Sequence, residues 1–245
     1  MTSLLRYAIY YAPPATANLA EFGASLLGYD AWSGDDRSFP SEIVRAVPDW
    51  AELTADPRKY GFHATLKAPF ELADAESEAA LCVACAEFAA TPRPVPAIRP
   101  IVDAISGFIA MIPGEPSPAL QQLAADCVEA FEPFRAPMAA DDRSRRKPDL
   151  LTPRQRDHLD RWGYPYVMED FRFHMTLTCR LSDERRPPIL VMLQERFAAL
   201  SLTELRIDRI VLFRQPSAHQ RFRIIGDWPL TAVQGDKRRQ LGMAA

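Results

Sequence analysis

Two nine-residue stretches constrain this chain more than anything else in it: FHATLKAPF at 62–70 and FHMTLTCRL at 173–181. Alternate residues of an extended chain share a face. In the first stretch His63, Thr65 and Lys67 therefore project one way, and Phe62, Ala64, Leu66 and Ala68 the other. In the second, Arg172, His174, Thr176, Thr178 and Arg180 stand against Phe171, Phe173, Met175, Leu177 and Cys179. Each stretch is expected to be a strand, over 61–70 and 171–180, with its apolar row buried under helices and its polar row facing water or a ligand. The chain has four histidines, and two of them are followed by Thr at +2 and Leu at +3. Ordinary composition yields that pair at fixed positions roughly once in 200 trials, so coincidence is a poor account of two.

The surrounding pattern repeats as well. Residues 5–12 are aromatic and aliphatic and end at Pro13-Pro14, which predicts a strand. Apolar spacing over 16–27 predicts a helix stopped by Gly28. A polar, proline-punctuated excursion over 31–59, with a short helix near 41–46, leads to the first motif. A helix over 76–90 and a strand over 97–105 follow. The second half runs in the same order: strand 107–112, helix 117–132 with Ser117 as N-cap, an irregular basic segment over 133–150, and a helix over 153–162 capped by Thr152. Then come motif strand 171–180, helix 187–200, strand 204–214 and a closing strand 220–226. The expectation is an internal duplication. The fold class is α+β, bilobal, with two mainly antiparallel sheets and outer helices flanking a central cleft. The lobes would be 1–105 and 106–230, packed as one unit, with a tail over 231–245.

Composition narrows the partners. A formal net charge of −3 argues against bulk attraction to long nucleic acid. No apolar run approaches the roughly 18 residues of a membrane span, and the first residues lack a basic leader, so a cytoplasmic setting is the default expectation. Of the four cysteines, Cys82 and Cys85 form a C-x-x-C within a helical pattern, where two small buried residues are a better account than a redox pair. With Cys127 and Cys179 they form no second pair at zinc spacing. No metal and no cofactor is called for, and the partner is expected to be a small phosphorylated molecule.

The motif chemistry suits a phosphodiester. Histidine exchanges protons near neutral pH, and two flanking one phosphorus divide the work: a neutral one takes a proton from water, a protonated one gives a proton to the leaving oxygen. Each threonine lies two residues, about 6.6–7 Å, along its strand, where its hydroxyl can hold a non-bridging oxygen. Two such pairs would clamp a phosphate from both sides.

These residues also carry a resemblance. The chain resembles the two-histidine (2H) phosphoesterase superfamily, whose hallmark is two H-x-[TS]-hydrophobic motifs in a duplicated bilobal α+β fold. LRYAIYYAPP, PRKYGFHATLKAPF and DFRFHMTLTCRL are similar to a branch associated with phosphonate-utilisation (carbon–phosphorus lyase) operons. The resemblance implies a hydrolase acting on cyclic phosphodiesters or 2′–5′ linkages, with His63 and His174 as the acid–base pair and Thr65 and Thr176 as phosphate ligands. The expected substrate is a cyclic phosphodiester of a small nucleotide or ribose phosphate, turned over without metal. An RNA-end enzyme acting on 2′–5′ or cyclic-phosphate termini, and a binding module that holds a phosphate ligand without turnover, are the alternatives.

Further candidates carry two readings each. Lys67 either binds a second anionic group of the substrate or is a rim charge. Arg172 either depresses the pKa of His174 or pairs with an acidic side chain. Tyr11, with Tyr7 and Tyr60, either lines the cleft or packs in the core. The run Arg143 to Lys147 is either a solvated loop or a lure for a phosphorylated substrate. His158 and His219 lack a Thr at +2 and are assigned no chemistry.

Overall fold

The computed structural model describes residues 5–233; most of the tail placed at 231–245 lies outside them. The first half of the chain contributes β1 (Arg6–Tyr11), α1 (Asn18–Leu27), α2 (Ser41–Ala46), α3 (Trp50–Leu53), α4 (Ala55–Arg58), β2 (Ala64–Phe70), α5 (Glu78–Ala90), β3 (Ala97–Ile98) and β4 (Pro100–Ile105). The second half contributes β5 (Phe108–Pro113), α6 (Pro118–Ala130), α7 (Ala140–Arg145), α8 (Pro153–Trp162), β6 (Met175–Thr176), α9 (Arg186–Ala198), β7 (Leu205–Arg206), β8 (Arg209–Gln215) and β9 (Arg223–Pro229). The fold is α+β with two antiparallel sheets of unequal size. Seven strands run in the order β4-β5-β6-β2-β1-β8-β9, and β3 pairs with β7 alone.

Local chemistry explains the element ends. Gly28 closes α1 at φ 69°, a left-handed conformation that glycine adopts without a Cβ clash. Ser117 accepts from the Leu120 amide with Pro118 in the first turn of α6. Thr152 and Gln155 form a reciprocal capping box on α8.

The two motif strands are neighbours at the centre of the large sheet. Their apolar rows enter one core with α1, α5, α6 and α9, in which Leu66, Met175 and Leu177 meet Leu26, Leu81, Leu123 and Leu193. The other sheet face is divided. Across β1, β8 and β9 a smaller cluster of Ala8, Tyr10, Val211, Phe213 and Phe222 is covered by Tyr29 and Ala31 and flanked by Tyr60. Across β4 and β5 the same face carries Ile101, Ile105, Phe108 and Ile112, all half-buried and part of neither cluster.

The 31–59 excursion is tied down rather than loose. The fully buried Trp50 donates its indole N–H to Leu26 O at 2.8 Å, and Arg58 Nε donates to Leu27 O at 2.6 Å. These bonds fix the approach of Tyr60 and Gly61 to the first motif.

The second motif strand is shorter than its alternation predicts, two residues instead of ten. After Thr176 the chain peels away: the Leu177 and Thr178 amides both donate to Ile109 O, at 2.9 and 3.3 Å, and the Cys179 amide turns to Leu53 O at 2.6 Å. Thr178 leaves the polar row altogether; its buried hydroxyl accepts from the Ile109 amide at 3.0 Å. No helix among the described residues is long and apolar enough to cross a membrane.

Candidate functional site

Ala64 pairs with Met175 across the antiparallel β2–β6 ladder. Counting outward in opposite directions sets His63 across from Thr176, and Thr65 across from His174. The four side chains occupy one face of two adjacent strands, opposite the buried Ala64 and Met175. The histidines are diagonal neighbours, about 8 Å apart at the backbone, and close enough that His174 contributes to the displaced pKa of His63.

Both imidazoles are oriented in the same way. His63 Nδ1 lies 2.9 Å from the carbonyl oxygen of Gly61, and His174 Nδ1 lies 2.7 Å from that of Arg172. A carbonyl only accepts, so Nδ1 carries the proton in each ring and Nε2 is left with a free lone pair. The partner is two residues upstream both times. Thr65 Oγ1 stands 3.5 Å from His63 Nε2.

Burial shifts both groups. Desolvation pulls His63 down to about 4; the Gly61 carbonyl opposes the shift and His174 adds to it. Desolvation also lowers His174, against the bond to the Arg172 carbonyl. Both rings are therefore neutral at neutral pH.

Gly61 is the one backbone position here that sequence substitution cannot reproduce freely. Its φ is +77°, and a Cβ on it would come within 2.7 Å of the Ala31 Cβ.

Around the histidines stands an aromatic wall. Tyr10 stacks on His63 with centroids 3.9 Å apart and 22° between planes; Tyr60 lies 5.9 Å from the same ring, and Phe108 lies 5.6 Å from His174. The buried Tyr10 phenol lies near Tyr60 and Tyr164, and desolvation holds its pKa well above the usual phenol range. Arg146 sits 5.4 Å over the Tyr164 ring, which brings one member of the 143–147 run to the wall, while Arg143 and Arg145 pair with Asp160 and Asp142.

Several expected ligands lie elsewhere. Tyr11 pairs with Ala64 and is 1% exposed in the main core, on the face away from the histidines; the tyrosine facing the site is Tyr10, which pairs with Thr65. Tyr7 is also on the core side and donates to Glu78 at 2.8 Å. Lys67 is neither rim charge nor substrate ligand. The ladder slips between Ile9–Lys67 and Tyr10–Thr65, a bulge that takes Lys67 out of the His63 row. It is 3% exposed, and its Nζ donates to Val128 O at 2.9 Å and to Glu132 at 2.7 Å, under α6. The Arg172 side chain is exposed and in no ion pair among the described residues, and its contribution to His174 is its backbone carbonyl.

Tyr10 and Phe108 were not singled out by sequence. Tyr10 is missed because β1 is apolar on both faces, so its parity shows only once it pairs with β2. Among the described residues no group of three His, Cys, Asp or Glu side chains comes together as a metal cage. Cys82, Cys85, Cys127 and Cys179 are all free thiols.

Residues 65–223 match the family described as "Protein of unknown function (DUF1045)". The chain is 34% identical over 227 residues to a protein of Janthinobacterium sp. (strain Marseille) called ribose 1,5-bisphosphate phosphokinase PhnN, covering 87% of this chain and 48% of that one. A protein of the same name from Laribacter hongkongensis (strain HLHK9) is 32% identical, covering 97% and 55%. The chain thus spans about half the length of the curated relatives it matches. Among solved structures, E. coli LigT complexed with 3′-AMP is similar at a TM-score of 0.42 and 15% identity, over 93% of this chain and 98% of that one. A structure described as a phosphoesterase is similar at 0.42 and 16%, over 93% and 99%.

Proposed function

This chain belongs to the DUF1045 family, and from its paired motifs we propose that it is a phosphodiesterase that opens the cyclic phosphodiester of a small ribose phosphate or nucleotide without a metal. One observation carries the reading: each motif histidine lies across the strand pair from the other motif's threonine, with both Nδ1 atoms held by carbonyls two residues upstream. A phosphate lying over that square meets two Nε2 atoms and two hydroxyls. The ribose bisphosphate in the names of the relatives supports a sugar phosphate as the substrate.

In this reading His63, the ring displaced furthest, is the base. Its Nε2 takes a proton from water as the oxygen attacks phosphorus, and the ring P–O bond breaks. His174 is protonated when the anionic substrate enters, because a bound negative charge raises a histidine's pKa; its Nε2–H then donates to the leaving oxygen. The product is a phosphate monoester with a free hydroxyl. Thr65 and Thr176 hold the non-bridging oxygens. The test is hydrolysis of 2′,3′-cyclic nucleotides and ribose cyclic phosphates by purified protein in excess chelator. Turnover that requires a divalent metal, or that survives both His63→Ala and His174→Ala, overturns the reading.

A second reading has its own observation. The half-buried row of Ile101, Ile105, Phe108 and Ile112 next to His174 suits a nucleobase, and favours a nucleoside cyclic phosphate or an RNA 3′ end over a bare sugar phosphate. Relative turnover of a cyclic nucleotide, a short oligonucleotide and a ribose cyclic phosphate separates the two. Tight binding of any of them with no product would make the cleft a binding module.

A further inference from the structure

His158 sits on α8, outside the paired-histidine face, with its side chain 12% exposed. Its Nε2 lies 3.6 Å from the Glu169 carboxylate and its Nδ1 lies 3.6 Å from that of Asp170. Both gaps are too long for hydrogen bonds, and Nδ1 is buried without a partner. Arg154, one turn earlier on α8, already holds both Asp170 oxygens, at 2.8 and 2.9 Å. A well-covered imidazole thus stands between two carboxylates and is bonded to neither.

Glu169 and Asp170 belong to one 3₁₀ turn, Met168–Asp170. Met168 holds a φ of 49°, a left-handed conformation that a residue with a side chain keeps only where its surroundings overdetermine it. Those surroundings are α6, whose neutral Gln121 amide donates to Met168 O, and α8, through Arg154 and His158. This turn delivers the second motif. Val167 and Phe173 are buried on either side of it, and two residues past Asp170 the Arg172 carbonyl faces His174 Nδ1 at 2.7 Å. The Gly61 carbonyl of the first motif has separate support, in the bonds of Trp50 and Arg58 to the end of α1.

The contact responds to one proton. With the ring neutral, one nitrogen turns a lone pair toward a carboxylate and only the other can donate. With the ring protonated, both nitrogens carry hydrogens toward anionic oxygens and both contacts become charge-assisted. The charged groups facing the ring are Glu169 and Asp170 from the turn; Arg154, from its own helix, shares Asp170 with it.

We propose that His158 is a positioning residue for His174. Protonated, it ties the 168–170 turn to α8 and so fixes the Arg172 carbonyl against the second imidazole; losing the proton loosens that hold. The site is then tuned by a proton bound outside it. The effect on turnover rests on the phosphodiesterase reading, and the effect on the turn does not.

The test compares wild type with His158→Gln, a neutral side chain of similar reach, and with Glu169→Gln, which removes a carboxylate that is 70% exposed. Rates on a 2′,3′-cyclic nucleotide are taken at about pH 5.5 and about pH 8.5, either side of the usual histidine range. Dividing wild type by variant at each pH cancels the titration they share. At the lower pH wild type should exceed His158→Gln in kcat by roughly fivefold or more, with KM within about twofold. At the higher pH the two should agree within about twofold, and Glu169→Gln should show the same pattern more weakly. A ratio that is equal at both pH values, or near one at the lower, overturns the proposal.

Amide hydrogen exchange over 168–175, corrected for its intrinsic pH dependence, reads the turn without substrate. Protection relative to α1 should be roughly tenfold higher at the lower pH in wild type, and His158→Gln should lose that gain. Should no cyclic phosphate be turned over, the phosphodiesterase reading fails and exchange decides on His158 alone. Protection that gains from acid only with His158 in place supports the proposal; protection indifferent to His158 overturns it.

Discussion

The ring of Tyr10 lies flat on the imidazole of His63, with centroids 3.9 Å apart and 22° between the planes. Tyr10 also pairs with Thr65 across the β1–β2 ladder, so one buried side chain stands beside both functional groups of the first motif. Tyr10→Phe keeps the stack and removes only the phenol oxygen. It should cost less than about 1.5 kcal/mol of stability and leave turnover and the acidic limb of the pH profile little changed. Tyr10→Ala removes the ring and opens the site to water; unfolding should become about 3–5 kcal/mol easier, and the His63 titration should move back up toward its ordinary value. Denaturant unfolding and NMR titration measure both.

The depressed His63 pKa, about 4, predicts a signature in the free protein. Its Cε1–H resonance should show no protonation step near pH 6.5, only one near pH 4. The sign for stability follows from linkage. Between the unfolded value and about 4, the unfolded chain binds the proton that the folded chain refuses, so stability falls as pH drops through that window. In His63→Gln the slope should flatten there. A cyclic phosphate analogue should raise the titration midpoints of both site histidines, and a titration near 6.5 in the free protein would contradict the burial of His63.

Removing either imidazole should lower kcat by about 10²–10⁴-fold, the usual worth of a proton-transfer group. The double variant His63→Ala/His174→Ala should lose little more than the worse single one, since the two act in one step. Thr65→Val and Thr176→Val should lose less, and should raise KM as well as lower kcat if the hydroxyls grip the phosphate in both ground and transition state. Rates measured on one cyclic substrate across the five variants check the assignment.

How much of this was legible in the sequence depends on how each side chain is backed. The motif strands carry an apolar row and a polar row, so Ala64, Leu66, Met175 and Leu177 are placed correctly in the core by alternation alone. Helix ends marked by Ser117, Thr152 and Gly28 are placed for the same reason, since each has a local chemical cause. β1 has no such contrast. Arg6 apart, its residues are all buried, so nothing local distinguishes the Tyr10 face from the Tyr11 face; pairing with β2 settles it. Lys67 was misplaced because a bulge is a property of two strands together and leaves no mark on one.

The position of Lys67 gives a test that separates structure from chemistry. Its ammonium is buried against Glu132 and the Val128 carbonyl, and Glu132 also binds Arg135. Removing one member of such a buried pair leaves the other uncompensated and typically costs about 3–5 kcal/mol, whereas exchanging the pair for apolar groups is far milder. Lys67→Met should therefore lower the unfolding midpoint clearly, and Lys67→Met/Glu132→Leu should restore part of the loss. Arg135 would limit the recovery, because it loses its carboxylate in the double variant. In the folded fraction of each, kcat/KM on a cyclic phosphate should stay within about twofold of wild type, since a side chain on the far face of the sheet makes no differential contact with the transition state. A Lys67→Met protein of normal stability whose KM rises tenfold would return Lys67 to the cleft and would require β2 to run without its bulge.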